Sequence, residues 1–132
     1  MINDQPIYPN EILAKARKIL LIDWPNTNVP TELVEQGFKV FCYSPGRYTQ
    51  TEIEKGQLVF MELENRPPSV DIVNIYRPED EHEVIITKQI LPLEAKVIWL
   101  HPPITSQKTR SLGAEHGLTF VEGISITEVT RK

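Results

Sequence analysis

The side chains of this chain that could do chemistry are few and scattered: Cys42, the histidines His82, His101 and His116, and the arginines Arg47 and Arg77, each of the two just past an apolar run. A guanidinium grips phosphate or carboxylate through paired hydrogen bonds, so Arg47 and Arg77 are candidate anion contacts, with solvated loop charges as the plain alternative. His101 ends the stretch AKVIWLH and reads either as a ligand contact or as packing beside Pro102 and Pro103. His82 is expected as an exposed helix residue and His116 as a helix-end residue, and none of the three has a cysteine or carboxylate at zinc-ligand spacing. Cys42, inside FKVFCY, is expected to be a buried and inert thiol. No G-x-S-x-G elbow and no Walker-type G-x-x-x-x-G-K-[ST] occurs, so neither nucleophilic catalysis nor nucleotide hydrolysis is signalled. The acid run PEDEHE reads more simply as a helix start than as a hard-metal site.

The elements that must carry these residues are marked by turn residues, among them 11 prolines. A short helix over 11–17 feeds an apolar strand at 19–22. A helix over 31–36 ends at Gly37, placed as a left-handed cap, and a strand follows at 39–43. The segment SPGRYTQ is a turn by composition, with a weak helix over 51–55 and a third strand over 58–61. In VDIVNIY (70–76) apolar side chains face both ways, as in a strand covered on each side. Pro78 and the acids after it start a helix whose buried side is Val84, Ile85 and Leu91. A strand at 95–100, a helix over 105–116 capped by Gly117, and a strand at 118–121 complete the pattern.

Strands alternating with helices imply parallel pairing and right-handed crossovers. The expected architecture is a single α/β domain over residues 1–132: a three-layer, doubly wound, Rossmann-like fold with a parallel sheet of five to six strands. The 132 residues, 40% hydrophobic and 24% charged, suit one compact domain. A net charge of -4 with interspersed signs excludes a basic stripe for nucleic acid or an anionic membrane. The longest aliphatic run, 19–22, is far short of a membrane span, and the first residues lack the pattern of a signal peptide, so a cytoplasmic setting is expected.

Such a fold puts its ligand in the crevice at the carboxyl ends of the strands, where the strand order reverses. The residues at that address are Asp23, Trp24, Pro25 and Asn26 after the first strand, and Ser44, Pro45 and Arg47 after the second. Tyr76 and Arg77 end the VDIVNIY strand, and His101 follows the next. A small nucleotide-type molecule is the expected partner. Trp24 could present a ring on which a base stacks, whereas Trp99 is expected in the core.

The strings VDIVNIYRPED (70–80), AKVIWLHPPIT (95–105) and AEHGLTFVEGISI (114–126) resemble the CoA-binding domain family of small Rossmann-type proteins. FKVFCYSP (38–45) is similar to that family's second strand. The resemblance covers residues 11–126 in element order and implies CoA as the ligand, bound without catalysis.

Three loops depart from the family pattern. Asp23 stands where the first glycine of the phosphate-cradling connection would be, and the stretch from there to Gly37 is shorter than in the family. His101 and Pro103 replace a Gln and a Gly, and Glu122, Gly123 and Ile124 replace Asp-Arg-Cys. Two readings follow: a non-catalytic module for CoA or a related adenine nucleotide, or a degenerate Rossmann domain whose surface serves a homodimer or a protein partner. A third, a small enzyme with His101 as general base, is the least supported.

Overall fold

The computed structural model of the protein describes residues 8–44 and 46–130. Helix α1 (Pro9–Lys15) leads into β1 (Lys18–Ile22), α2 (Asn28–Glu35) and β2 (Lys39–Tyr43). A hairpin of β3 (Tyr48–Glu54) and β4 (Gln57–Glu62) precedes β5 (Ile72–Ile75). After β5 come a 3-10 turn (Glu79–Glu81), α3 (His82–Ile85) and a π-helical turn (Ile86–Ile90), then β6 (Val97–Leu100), α4 (Gln107–Glu115), β7 (Thr119–Val121) and α5 (Ile126–Thr130).

The seven strands form one sheet in the order β4-β3-β2-β1-β5-β6-β7. β1 pairs in parallel with both β2 and β5, and β6 in parallel with β5 and β7. The expected parallel α/β sheet is thus present, with seven strands where five to six were expected. The strand expected at 58–61 is present as β4, and the surplus is β3, which pairs antiparallel with both β2 and β4. β3 covers the segment expected as a weak helix. YTQTEIE places Thr49, Thr51 and Ile53 on one face, Thr51 buried against Cys42 of β2, and Gln50, Glu52 and Glu54 on the other, which is the period of a strand and also replaces the end of the turn expected in SPGRYTQ. Lys55 and Gly56 both take positive φ (53° and 78°) between the paired residues Glu54 and Gln57, the geometry of a two-residue hairpin turn with strand-matching twist.

Alternation along the central strands supplies the two outer layers. Ile19 and Leu21 join Val40, Cys42 and Trp99 under α1, α2 and α5. Leu20 and Ile22 join Val73, Ile75, Ile98 and Leu100 under the segment from α3 to α4. Trp99 is fully buried, and its indole N–H donates to the Ile124 carbonyl at 2.9 Å, so the ring sits in the core as expected. Burial pushes the Cys42 thiol up to about 12, in keeping with an inert residue. Gly37 and Gly117 take the left-handed cap conformation. At Gly113 the reason for glycine is space, because a Cβ there would lie 3.2 Å from Ile98 Cδ1 where α4 presses on β6.

Two expectations for the helix after Pro78 fail. His82, expected at the surface, is completely buried, while Val84 is 59% and Leu91 38% exposed. The inward face is made by His82, Ile85, Ile86, Gln89 and Ile90 at helical spacing, so Ile85 is buried as expected while Val84 and Leu91 fall on the outer side. No helix among the described residues is long and apolar enough to cross a membrane.

Candidate functional site

The strand order reverses between β1, whose crossover runs through α2 to β2, and β5, whose crossover runs the other way to β6. The loops after these two strands therefore diverge at the carboxyl edge of the sheet. They are held together there by Tyr76 N–H donating to the Ile22 carbonyl at 2.9 Å and by an ion pair between Arg77 Nη1 and Asp23 Oδ2 at 3.1 Å. Asp23 has φ of 62°, a left-handed backbone that glycine would take more easily, and its Oδ1 accepts the N–H of Trp24 at 3.0 Å. The acid does not stand alone. Glu81 completes the cluster, accepting from Arg77 Nε at 3.0 Å and Nη2 at 2.6 Å in the bidentate geometry of a guanidinium fork. Hydrogen bonds from Glu81 and then Asp23 raise the Arg77 pKa still further, and Arg77 in turn holds Glu81 below the usual carboxylate range.

Two clefts flank this ion pair. One, of about 300 Å³, is lined by Asp23, Ser44 and Arg77 together with Tyr43, Ile85 and Gln89. Gln89 is buried and accepts the Tyr48 hydroxyl at 2.8 Å, so the hairpin closes this cleft's outer wall. The other, of about 240 Å³, opens at the head of α2 and is lined by Pro25, Asn26, Asn28, His101, Ser125 and Thr127 together with two carboxylates, Glu32 and Glu128. Asn26 folds back so that its Oδ1 accepts the N–H of Asn28 at 3.0 Å, fixing the turn into the helix. A larger cleft of about 620 Å³ lies between α1, α5 and the end of α2. It is a groove between helices rather than a strand-end crevice, and lacks convergent charged groups, so the edge clefts fit a ligand better.

Of the residues expected at the edge, Asp23, Ser44 and Arg77 share the first cleft, and Pro25, Asn26 and His101 share the second. Trp24 lines neither. It is half-buried against the α1/α2/α5 core and stacks on Phe60 of β4, centroids 5.7 Å apart and planes 14° from parallel. Tyr76 lies behind His101, ring edge to ring face at 5.6 Å. Arg47 is in neither cleft; it pairs with Glu62 at 2.7 Å on the exposed hairpin. Pro45 falls outside the described residues.

The sequence reading passed over Glu81, Gln89, Ser125, Thr127 and the buried Asn74 as site residues, and placed His82 at the surface. His82 links the β5 loop to α4: its Nε2–H donates to the Arg77 carbonyl at 2.8 Å and its Nδ1 takes the Thr109 hydroxyl at 2.6 Å. Asn74, fully buried within β5, has its Nδ2 3.5 Å from His101 Nδ1, and its buried Oδ1 has no hydrogen-bond partner among the described residues. Such an orphan oxygen costs about 1–3 kcal/mol. A single Asn within IVNI was the only signal available for it. Burial also pushes the His101 imidazole below its ordinary pKa, with Glu128 partly opposing.

The sequence matches the CoA binding domain family over residues 22–128, which takes in both clefts and every strand after β1. No protein of curated function matches the chain. Among solved structures it is similar to cell-free ID.343 from Thermus thermophilus, at 20% identity and a TM-score of 0.72, covering 95% of this chain and 98% of that one. It is also similar to Prb, a protein redesigned for binding, at 18% identity and a TM-score of 0.72, covering 96% and 92%. A hypothetical protein from Pyrococcus horikoshii OT3 matches at 19% identity and a TM-score of 0.63, covering 99% and 97%. At these identities the likeness is one of fold. The match to the family spans most of the chain, and the protein belongs to the CoA-binding domain family.

Proposed function

We propose that the protein binds CoA or a related adenine nucleotide at the carboxyl edge of its sheet, as a binding module and not as a catalyst. The observation that carries this reading is the cleft at the head of α2. The chain leaves β1 at a left-handed residue, turns through Asn26, and enters a helix that has no acid in its first turn. A helix N-terminus presents a positive dipole end, which suits a diphosphate; here Asn26 takes the N–H groups of Asn28 and Val29, so the dipole and the side chains of Asn26, Asn28 and His101 are what the cleft offers. On the other side of Asp23, the apolar walls supplied by Tyr43 and Ile85 and the polar groups of Ser44 and Gln89 suit a nucleoside. A ligand of CoA's size would lie across both clefts and over the Asp23–Arg77 pair.

Native mass spectrometry of the freshly purified chain, followed by calorimetry with CoA, acetyl-CoA and ADP, tests this reading. Saturable binding at one ligand per chain is expected, and no saturable heat at millimolar ligand overturns it.

One observation favours a second reading, a domain without ligand that serves a homodimer or a protein partner. Asp23, Arg77 and Glu81 bond to one another across the strand-order reversal, so the cation best placed to take a phosphate is already satisfied. That reading expects a stable dimer or hetero-complex by light scattering and no nucleotide binding.

A further inference from the structure

Asn74 is an unexpected residue for its place. It sits in the middle of β5, paired with Leu21 of β1 on one side and Trp99 of β6 on the other, both fully buried. An aliphatic side chain would fill that position without leaving an oxygen stranded. The partner that the amide does reach is His101 Nδ1.

We propose that Asn74 and His101 work as one hydrogen-bonding device, in which Asn74 positions the imidazole from the core side so that His101 offers its Nε2–H to a phosphoryl oxygen of the ligand in the cleft at the head of α2. This rests on the binding reading above and assigns a specificity-determining contact within it.

The geometry supports each step. With the Asn74 Nδ2 facing the ring at 3.5 Å, Nδ1 is the acceptor in the arrangement proposed, and a neutral imidazole then carries its proton on Nε2. Nε2 has no protein partner among the described residues, and His101 lines the cleft beside Ser125 and Thr127. The edge of Tyr76 and the backbone bond from His101 N–H to the Ile75 carbonyl, at 2.9 Å, hold the ring from the remaining sides. Burial disfavours the imidazolium. A cation here would be drawn to Glu128, which lines the same cleft, whereas a neutral ring keeps its donor available to the ligand.

The first test needs no ligand. Nitrogen-15 NMR of the full chain at pH 7.5 is expected to show His101 in the Nε2–H form, and Asn74→Leu is expected to abolish that preference. An Nδ1–H form in the natural chain, or an unchanged tautomer in Asn74→Leu, overturns the positioning role.

The second test compares His101→Leu with His101→Gln, whose side-chain amide can still donate. With CoA and ADP, His101→Leu is expected to lose about tenfold or more in affinity while His101→Gln stays within about threefold of the natural chain. Adenosine, which has no phosphate, is expected to bind all three alike. Circular dichroism of each variant verifies that the fold is intact. If the natural chain binds CoA and His101→Leu binds it equally well, this inference fails while the binding reading stands. If the natural chain binds neither CoA nor ADP, both fail.

Discussion

Arg77 Nη1 lies 3.1 Å from Asp23 Oδ2, joining the loop beyond β5 to the first residue beyond β1 across the point where the strand order reverses. Each residue alters the meaning of the other. An acid in the place of a phosphate-loop glycine would repel a diphosphate, yet here its charge is matched by a guanidinium, and that guanidinium is in turn occupied by the acid. Both side chains are about a third exposed, 33% for Asp23 and 39% for Arg77. At that exposure solvent screening limits the pair to about 1 kcal/mol or less, so its effect falls on the ligand more than on the fold.

Asp23→Gly is therefore expected to tighten CoA binding by about 3- to 10-fold, because it removes a competing carboxylate and leaves Arg77 one free N–H edge. Stability is expected to change little, since relief of a left-handed backbone, about 1 kcal/mol, offsets the lost ion pair. Arg77→Ala has the opposite sign and is expected to weaken CoA binding by about 1–3 kcal/mol. Calorimetry and thermal melting read both. Weaker binding in Asp23→Gly would mean that the carboxylate itself contacts the ligand.

The difference between what the sequence disclosed and what it hid follows from the range of each interaction. Apolar runs such as 19–22 and 70–76, with glycine caps at 37 and 117, are local signals, and the elements they announce are present. Of the β3–β4 hairpin only β4 was legible, as the strand at 58–61; Lys55-Gly56 is a weaker turn signal than Asn-Gly, and the alternation of β3 is diluted by polar residues. The Arg77–Asp23 pair, the His82–Thr109 bond and the Asn74–His101 contact join residues 27 or 54 positions apart. Side-chain pairing at such separation leaves no local pattern. His82 reads as a surface residue among acids, and it turns inward because it shares the helix face of Ile85, Ile86 and Ile90.

Replacing His82 tests that buried link. His82→Leu strands the Arg77 carbonyl and the Thr109 hydroxyl, both in the path between the β5 loop and α4. A cost of about 2–4 kcal/mol is expected, with the melting temperature falling by roughly 6–14 °C. His82→Gln, which can donate to the carbonyl, is expected to recover part of this. A loss under about 0.5 kcal/mol would show that water replaces both bonds.

The pKa shifts set two pH windows. His101 is held below its ordinary value by burial, so between its folded pKa and about 6.5 the unfolded chain binds the extra proton. Stability from this group is full above about pH 6.5 and declines as pH falls through that interval. Glu81, held low by Arg77, contributes above its ordinary value of about 4.3 and loses that contribution only in stronger acid. Urea titrations from pH 8 to 3 are expected to show both declines. His101→Gln should flatten the first and Glu81→Gln the second; an unchanged slope between pH 6.5 and 5 in His101→Gln contradicts the assignment of the first.

The stacking of Trp24 on Phe60 makes the hairpin a support for the ligand edge. Trp24 follows Asp23 directly, and its ring is clamped between the helical core and a side chain of β4 that is itself 38% exposed. Aromatic pairs of this kind contribute about 0.5–1.5 kcal/mol beyond their buried area, so Phe60→Ala is expected to cost stability on that scale. The larger consequence should be local. With its outer face bared to water, Trp24 is expected to shift its fluorescence to the red, while Trp99, fully buried beneath α5, supplies a constant background. A loosened Trp24 also frees the backbone at Asp23, so CoA affinity is expected to fall about 3- to 10-fold through lost preorganisation. Phe60→Leu separates shape from stacking, since it restores apolar cover without a ring. If the emission of Phe60→Ala matches that of the natural chain, Trp24 is held by the core alone, and the hairpin has no part in shaping the edge.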